Sequence, residues 1–324
     1  MPMTTGRRVG VYYSWDRLQE ITSPLRVIEN RFPALFETRR MLYPAHTDLA
    51  DDQRYDQGIS GFLDHILRRN FDRFCETARA ASGSPVIETE RVSDDGTFVA
   101  IDDDFVTGLD TLIVISFDSR RTAQNVQQGE LSSLRRFLDV PGNLLVVAPH
   151  HDIGDVPEVE FRHHGDKTIP PEQRFGGFAR SVLAGLDVPV QNRFGLRPAQ
   201  TTTGSPEPII TETALDRLGL LDGVQTFNLH PHLPHLERVE QAVGKLEVLA
   251  RQRIDRQAPP HPFTEHGQWT FDALLQSRPG VFAGDLIVGD ATLFSSTAGG
   301  MDSLQRLWAN LLGRPYLPRR SEPG

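Results

Sequence analysis

The sequence predicts a doubly wound α/β fold, a mostly parallel sheet flanked by helices, and three observations carry that prediction. Residues 111–117 and 144–148 are near-continuous apolar runs, the pattern of strands buried on both faces. An amphipathic helix over 130–138 (Leu131, Leu134, Phe137, Leu138) lies between them, and strand–helix–strand in this span is a parallel crossover. The alternation of strands and helices then continues along the chain. Its 324 residues suffice for one large α/β domain over 1–313, with a helix-rich excursion at 16–81 and an extended tail at 314–324.

Residues 9–13 (Val9, Val11, Tyr12, Tyr13) form a short first strand. The excursion follows, with partial helical spacing at Leu25, Ile28, Phe32, Leu35 and Phe36, and Pro24 in a first turn. Its clearest helix covers 61–81, where Phe62, Ile66, Phe71, Phe74 and Ala78 recur on one side and Gly83 stops it. A second strand is expected at 85–92. Beyond the central crossover, helices are expected at 174–186, 239–253 (Val243, Leu246, Val248, Leu249) and 303–312. Strands are expected at 188–194, 223–229 and 284–294.

Composition narrows the function. Lys and Arg number 34 against 43 Asp and Glu, a net charge of −9 that argues against a nucleic-acid surface. One cysteine, Cys75, excludes a disulfide framework and any Cys-rich metal site, and its setting inside the 61–81 helix makes it a packing residue. No apolar run approaches a membrane span or a signal-peptide core, so a soluble cytoplasmic protein is expected. A homo-oligomer is in keeping with an enzyme of this size. The unusual item is histidine. Seven of the eleven fall between His150 and His235, about a quarter of the chain.

These seven sit in three segments. The strand over 144–148 delivers Pro149-His150-His151-Asp152 to the carboxyl edge of the sheet, where open parallel sheets place their chemistry. Imidazole and carboxylate together suit zinc, iron, copper or nickel. Alternation along an extended chain predicts that His150 and His151 project to opposite sides, one as ligand or base and the other in packing. The second segment, His163-His164-Gly165-Asp166, repeats the chemistry, with Gly165 letting Asp166 fold back. In the third, His230-Pro231-His232-Leu233-Pro234-His235, prolines hold a stiff His-x-His in which His230 and His232 share a side. The competing reading is of loops whose histidines bond to nearby carbonyls. Seven histidines and two carboxylates exceed the three or four ligands of one ion, so either two ions bind or the surplus serves as acid, base or substrate contacts.

Anion contacts are predicted from Arg120 and Arg121, just past the 111–117 strand, and from Arg193. The chain has no phosphate-loop pattern, no dinucleotide fingerprint and no Gly-x-Ser-x-Gly elbow.

The run over 111–148, and residues 284–312 with Gly289-Asp290-Ala291-Thr292 and Asn310-Leu311-Leu312, resemble the class I glutamine amidotransferase-like fold. The resemblance covers about half the chain and is closest to non-amidotransferase branches such as the trehalose-utilisation-protein-like group. In amidotransferases the turn after the strand matching 144–148 carries the catalytic cysteine. Here that turn reads Pro149-His150-His151-Asp152, so the resemblance implies the fold and the location of a site, without glutaminase activity.

The expected function is that of a metal-dependent hydrolase opening an amide, ester or lactone bond in a small polar metabolite. A divalent ion, zinc or iron, is expected on His150, His164, His230 and His232, with Asp152, Asp166, His151 and His163 as acid–base groups. A redox-active iron or copper oxygenase and a non-catalytic ligand-binding protein are the alternatives.

Overall fold

Eight strands pair into one sheet in the computed structural model, which describes residues 6–21, 68–118, 122–153, 159 and 173–313. Strand β1 (Val9–Asp16) runs into a helical turn, α1 (Arg17–Ile21), and helix α2 (Asp72–Ser82) leads to β2 (Val86–Val92). A short α3 (Asp103–Thr107) precedes β3 (Thr111–Ser116), and α4 (Gln128–Leu138) crosses to β4 (Leu144–Pro149). A two-residue β5 (Asp152–Ile153) pairs with β6 (Gln173–Arg174), and α5 (Gly177–Gly185) follows. The middle is irregular. It holds five two-residue strands, β7 (Val190–Gln191), β8 (Gly195–Leu196), β9 (Ile210–Thr211), β10 (Leu233–Pro234) and β11 (Glu237–Arg238). After the turn α6 (Ala242–Lys245) come β12 (Leu246–Arg253), α7 (Pro262–Glu265), β13 (Thr270–Ser277), β14 (Asp285–Gly289) and α8 (Met301–Leu312).

The sheet order is β2-β1-β3-β4-β14-β13-β12-β9. Pairings from β2 to β14 are parallel and those beyond β14 antiparallel. The continuous apolar runs do what the sequence predicts. Every residue of β3 and β4 is buried, and alternate side chains enter two cores. Leu144, Val146 and Ala148 face one core with α2 and α8 (Phe74, Ala78, Leu304, Trp308). Leu145 and Val147 face the other with α4 and α5 (Leu134, Phe137, Phe178, Val182). Burying such a side chain fully stabilises by roughly 1.5–3 kcal/mol, so both faces of these strands are strongly specified. This is a doubly wound α/β arrangement with an antiparallel extension.

Local signals set several boundaries. Gly83 ends α2 at φ +66°, as predicted. At the start of α4, the Glu130 carboxylate accepts from the Gln127 amide at 2.8 Å. Three expectations fail. The predicted helix over 239–253 is a single turn followed by strand β12, because its backbone is satisfied by β13 on one side and β9 on the other. The expected strand at 223–229 is absent: the amide of Leu229 bonds to the Ala298 carbonyl, and Gln225 accepts from Ile209. The strand at 188–194 shrinks to Val190–Gln191. Strand β13, which the sequence pattern hides behind Asp272 and Gln276, fills the gap between β14 and β12.

Residues 22–67, most of the predicted excursion, and the tail over 314–324 lie outside the described residues. No helix among the described residues is long and apolar enough to cross a membrane.

Candidate metal centre

Strand β4 ends at Pro149, and His150 and His151 follow at the carboxyl edge of the sheet, where the sequence places them. His150 keeps the sheet's register for one more residue, its amide donating to the Ser116 carbonyl at 3.0 Å. Its own carbonyl accepts from the Asn192 side-chain amide, which Arg180 holds in turn through the Asn192 oxygen at 2.8 Å. Gly176 completes the clamp. At φ +78° it presses the chain entering α5 against this turn, and a Cβ there would lie 2.8 Å from Pro149 Cβ and 3.0 Å from the His150 carbonyl oxygen. Phe117 and Phe175 lay their rings against His150, with centroids 4.5 and 5.5 Å away.

The His230–His232 segment is anchored from both sides. Asn228 donates to the Thr292 carbonyl at 2.8 Å and accepts from the His230 amide at 3.1 Å, and its carbonyl accepts from Gln252 at 3.2 Å. Beyond His232, β10 pairs with β8. Close approach of the 295–300 loop supports the same segment: a Cβ on Gly300 would lie 2.5 Å from the Phe227 carbonyl oxygen. These glycine-rich residues pack against the histidine loop, with the Leu229 amide donating to the Ala298 carbonyl at 2.7 Å.

Four imidazoles therefore converge. Ring centroids of His151 and His232 are 4.0 Å apart, as are those of His230 and His232. His150 lies 5.3 Å from His230 and 5.7 Å from His232. His150, His151 and His232 are all buried, and each offers a nitrogen such that the three atoms lie within 4.8 Å of one another, a group that can hold a metal ion. The expectation that alternation separates His150 from His151 fails. Strand β4 ends at Pro149, and Nδ1 of His151 sits 3.2 Å from Nε2 of His150. Two nitrogens bound tetrahedrally at about 2.0–2.1 Å from one zinc stand about 3.3 Å apart, so this spacing fits a shared ion.

A carboxylate completes the group. Asp290 follows β14, the sheet neighbour of β4, and its Oδ2 faces His150 Nδ1 at 3.4 Å. Its other oxygen accepts from the Thr292 amide at 2.9 Å and from the Thr292 hydroxyl. The sequence reading missed Asp290 as a site residue. The strand expected over 284–294 puts Asp290 mid-strand, whereas β14 ends at Gly289 and leaves Asp290 at its carboxyl end.

The other predicted residues are placed differently. Asp152 has its backbone paired with Arg174 in β5 and β6. His163, His164, Asp166, Arg120 and Arg121 lie outside the described residues. Arg193 forms an ion pair with Glu237 at 3.1 Å and lies over the Phe194 ring. His235 accepts from the Asp272 amide at 3.1 Å and packs on Phe263, while His261 caps α7 by accepting from the Phe263 amide at 3.0 Å. Cys75 is buried in α2, and burial pushes its thiol up to about 12.

A second buried carboxylate, Asp118, sits past β3. It accepts from Ser116 at 2.6 Å and from the amides of Gln124 and Phe178 at 3.2 and 3.0 Å, tying the strand end to the start of α5. Burial raises its pKa against these donors. Its oxygens are consumed in holding the scaffold.

No protein-family model matches the chain, and no curated protein matches it.

Proposed function

We propose that this protein is a metal-dependent hydrolase in which His150, His151 and His232 hold one divalent ion, zinc or iron. The observation that carries the reading is the convergence of three buried imidazoles within 4.8 Å at the carboxyl edge of the sheet. Three neutral nitrogen ligands with an open fourth position are the usual donor set of a catalytic ion, whereas structural zinc sites are closed by four ligands. When bound, such an ion lowers the pKa of a coordinated water towards 7 and polarises a carbonyl.

The chain's own residues then have distinct work. The clamp on the β4 turn and the Asn228 anchor hold the ligand nitrogens in place before any ion arrives. Rings of Phe117 and Phe175 line the His150 side with apolar surface, which limits competing water. His230, 4.0 Å from His232 between ring centroids, is the imidazole left to carry a proton or to meet the substrate. Asp152, Asp166 and His163 are assigned as acid–base groups, and Arg120, Arg121 and Arg193 as substrate contacts, on their sequence positions. The substrate class is a small polar metabolite with an amide, ester or lactone bond. The amidotransferase-like resemblance supports the location, since it puts the reacting turn after β4.

Elemental analysis of protein purified without chelator tests the reading. About one zinc or iron per chain is expected, and His151→Ala and His232→Ala should each abolish it. A metal-free wild-type protein that takes up no added zinc overturns it. An all-imidazole set also suits redox-active iron or copper, and oxygen consumption by the loaded protein separates that chemistry from hydrolysis.

A further inference from the structure

We propose that Asp290 is the positioning residue of the histidine group: its Oδ2 is the acceptor for the His150 Nδ1–H, fixing the tautomer that leaves Nε2 bare towards His151. The geometry comes from two neighbouring strand ends. His150 follows β4 and Asp290 follows β14, and these strands are paired in the sheet centre. Oδ2 and Nδ1 face each other at 3.4 Å, a few tenths longer than an ordinary hydrogen bond. Both atoms are buried, and neither has a hydrogen-bond partner among the described residues, the 3.4 Å approach between them falling short of one. A buried carboxylate oxygen without a donor is costly, and so is a buried ring N–H without an acceptor. One proton on Nδ1 resolves both costs.

The two oxygens of Asp290 are not equivalent. Oδ1 is held by the Thr292 amide and hydroxyl, and Thr292 also accepts from the Asn228 side chain at 3.1 Å. Asn228 in turn receives the His230 amide. Asp290 is thus tied to both histidine-bearing segments, and its orientation is set before it meets His150. With Nδ1 protonated, the opposite nitrogen, Nε2, is the one facing His151 Nδ1 at 3.2 Å. A carboxylate behind a ligating histidine fixes its tautomer and raises its basicity, and loss of such a partner costs about 10- to 100-fold in metal affinity. The consequence for affinity rests on the metal-binding reading above; the tautomer does not.

Asp290→Asn separates the two roles. Its oxygen stays with Thr292, so the turn remains capped, while its amide nitrogen replaces Oδ2 as a donor facing Nδ1. That inverts the hydrogen bond and forces the proton onto Nε2. The experiment is long-range nitrogen–proton NMR on histidine-labelled, metal-free protein, with the His150 ring identified by the signals lost in His150→Gln. Zinc affinity is then measured by chelator competition. Wild type is expected to show the Nδ1-protonated ring. Asp290→Asn should show the Nε2-protonated ring with an unchanged circular dichroism spectrum and bind zinc 10- to 100-fold more weakly. An Nε2-protonated ring in wild type overturns the proposal, as does an Asp290→Asn protein with unaltered tautomer and affinity. Should Asp290→Asn fail to fold, the wild-type tautomer alone decides. Should wild type show the expected tautomer and bind no zinc, the metal reading falls and the role of Asp290 stands.

Discussion

His232 and His235 lie three positions apart in one proline-bounded segment and end in different chemistry. His232 joins the imidazole group, whereas His235 uses Nδ1 to accept from the Asp272 amide. A ring that must accept has to be neutral, and burial lowers the His235 pKa against the opposing pull of Asp272 and Glu237. The sign follows from linkage. Above about pH 6.5 the ring is neutral in both folded and unfolded chains, and stability is level in this respect. As pH falls below that value the unfolded chain binds a proton that the folded ring refuses, so stability declines. Urea titrations between pH 6.5 and 5 should show His235→Gln with a shallower decline than wild type, by up to about 1.4 kcal/mol per pH unit. Equal slopes would mean that the folded ring titrates normally.

At the scale of elements, the junctions between strand and helix decide where the ligands stand. Gly176 is the test case. Gly176→Ala puts a side chain at φ +78°, which costs about 1–2 kcal/mol, and drives a Cβ into Pro149 and the His150 carbonyl, which costs about as much again. The variant should melt lower and bind zinc more weakly, because the displaced carbonyl belongs to a ligand. A lower melting temperature with unchanged zinc affinity would show that this contact supports α5 alone.

The same scale shows what the sequence could reveal. Strands β3 and β4 were legible because burial on both faces writes an uninterrupted apolar run, and the rule that chemistry gathers at carboxyl ends then located His150 and His151. The His-x-His of the third segment was legible because prolines restrict the chain. Strand β12 was not: Leu246, Val248, Leu249 and Ala250 satisfy a helical and an extended period equally, and pairing with its sheet neighbours β13 and β9 made the choice. The shared orientation of His150 and His151 was hidden for a related reason. It depends on the backbone just past β4, which is held by Asn192 and Gly176, residues that no local pattern connects to it.

Across the whole molecule, the ion would join the end of β4 to a loop some eighty residues later, and binding only the folded chain makes it a source of stability. Zinc at about 100 times its Kd should add about 2.7 kcal/mol, which for a chain of this size raises the melting temperature by several degrees. Differential scanning calorimetry of chelator-treated protein, with and without zinc, measures the shift. His232→Ala should remove it while keeping most of the metal-free melting temperature, since one ring edge of the cluster is lost and the sheet is untouched. A zinc-dependent shift that survives in His232→Ala would place the ion elsewhere.

Strand β14 pairs with β4 on one side and β13 on the other, so the middle of the sheet is filled by one of its latest-made strands. During synthesis on the ribosome, β1, β3 and β4 emerge early and carry two of the three ligands, yet the inner edge of β4 must wait for Asp285–Gly289. That edge is apolar on both faces, the kind of open strand that invites pairing with the wrong chain. The nascent protein therefore carries an open, aggregation-prone edge that outlasts the completion of its histidine set at His232. That interval ends with the arrival of β14, which also brings Asp290.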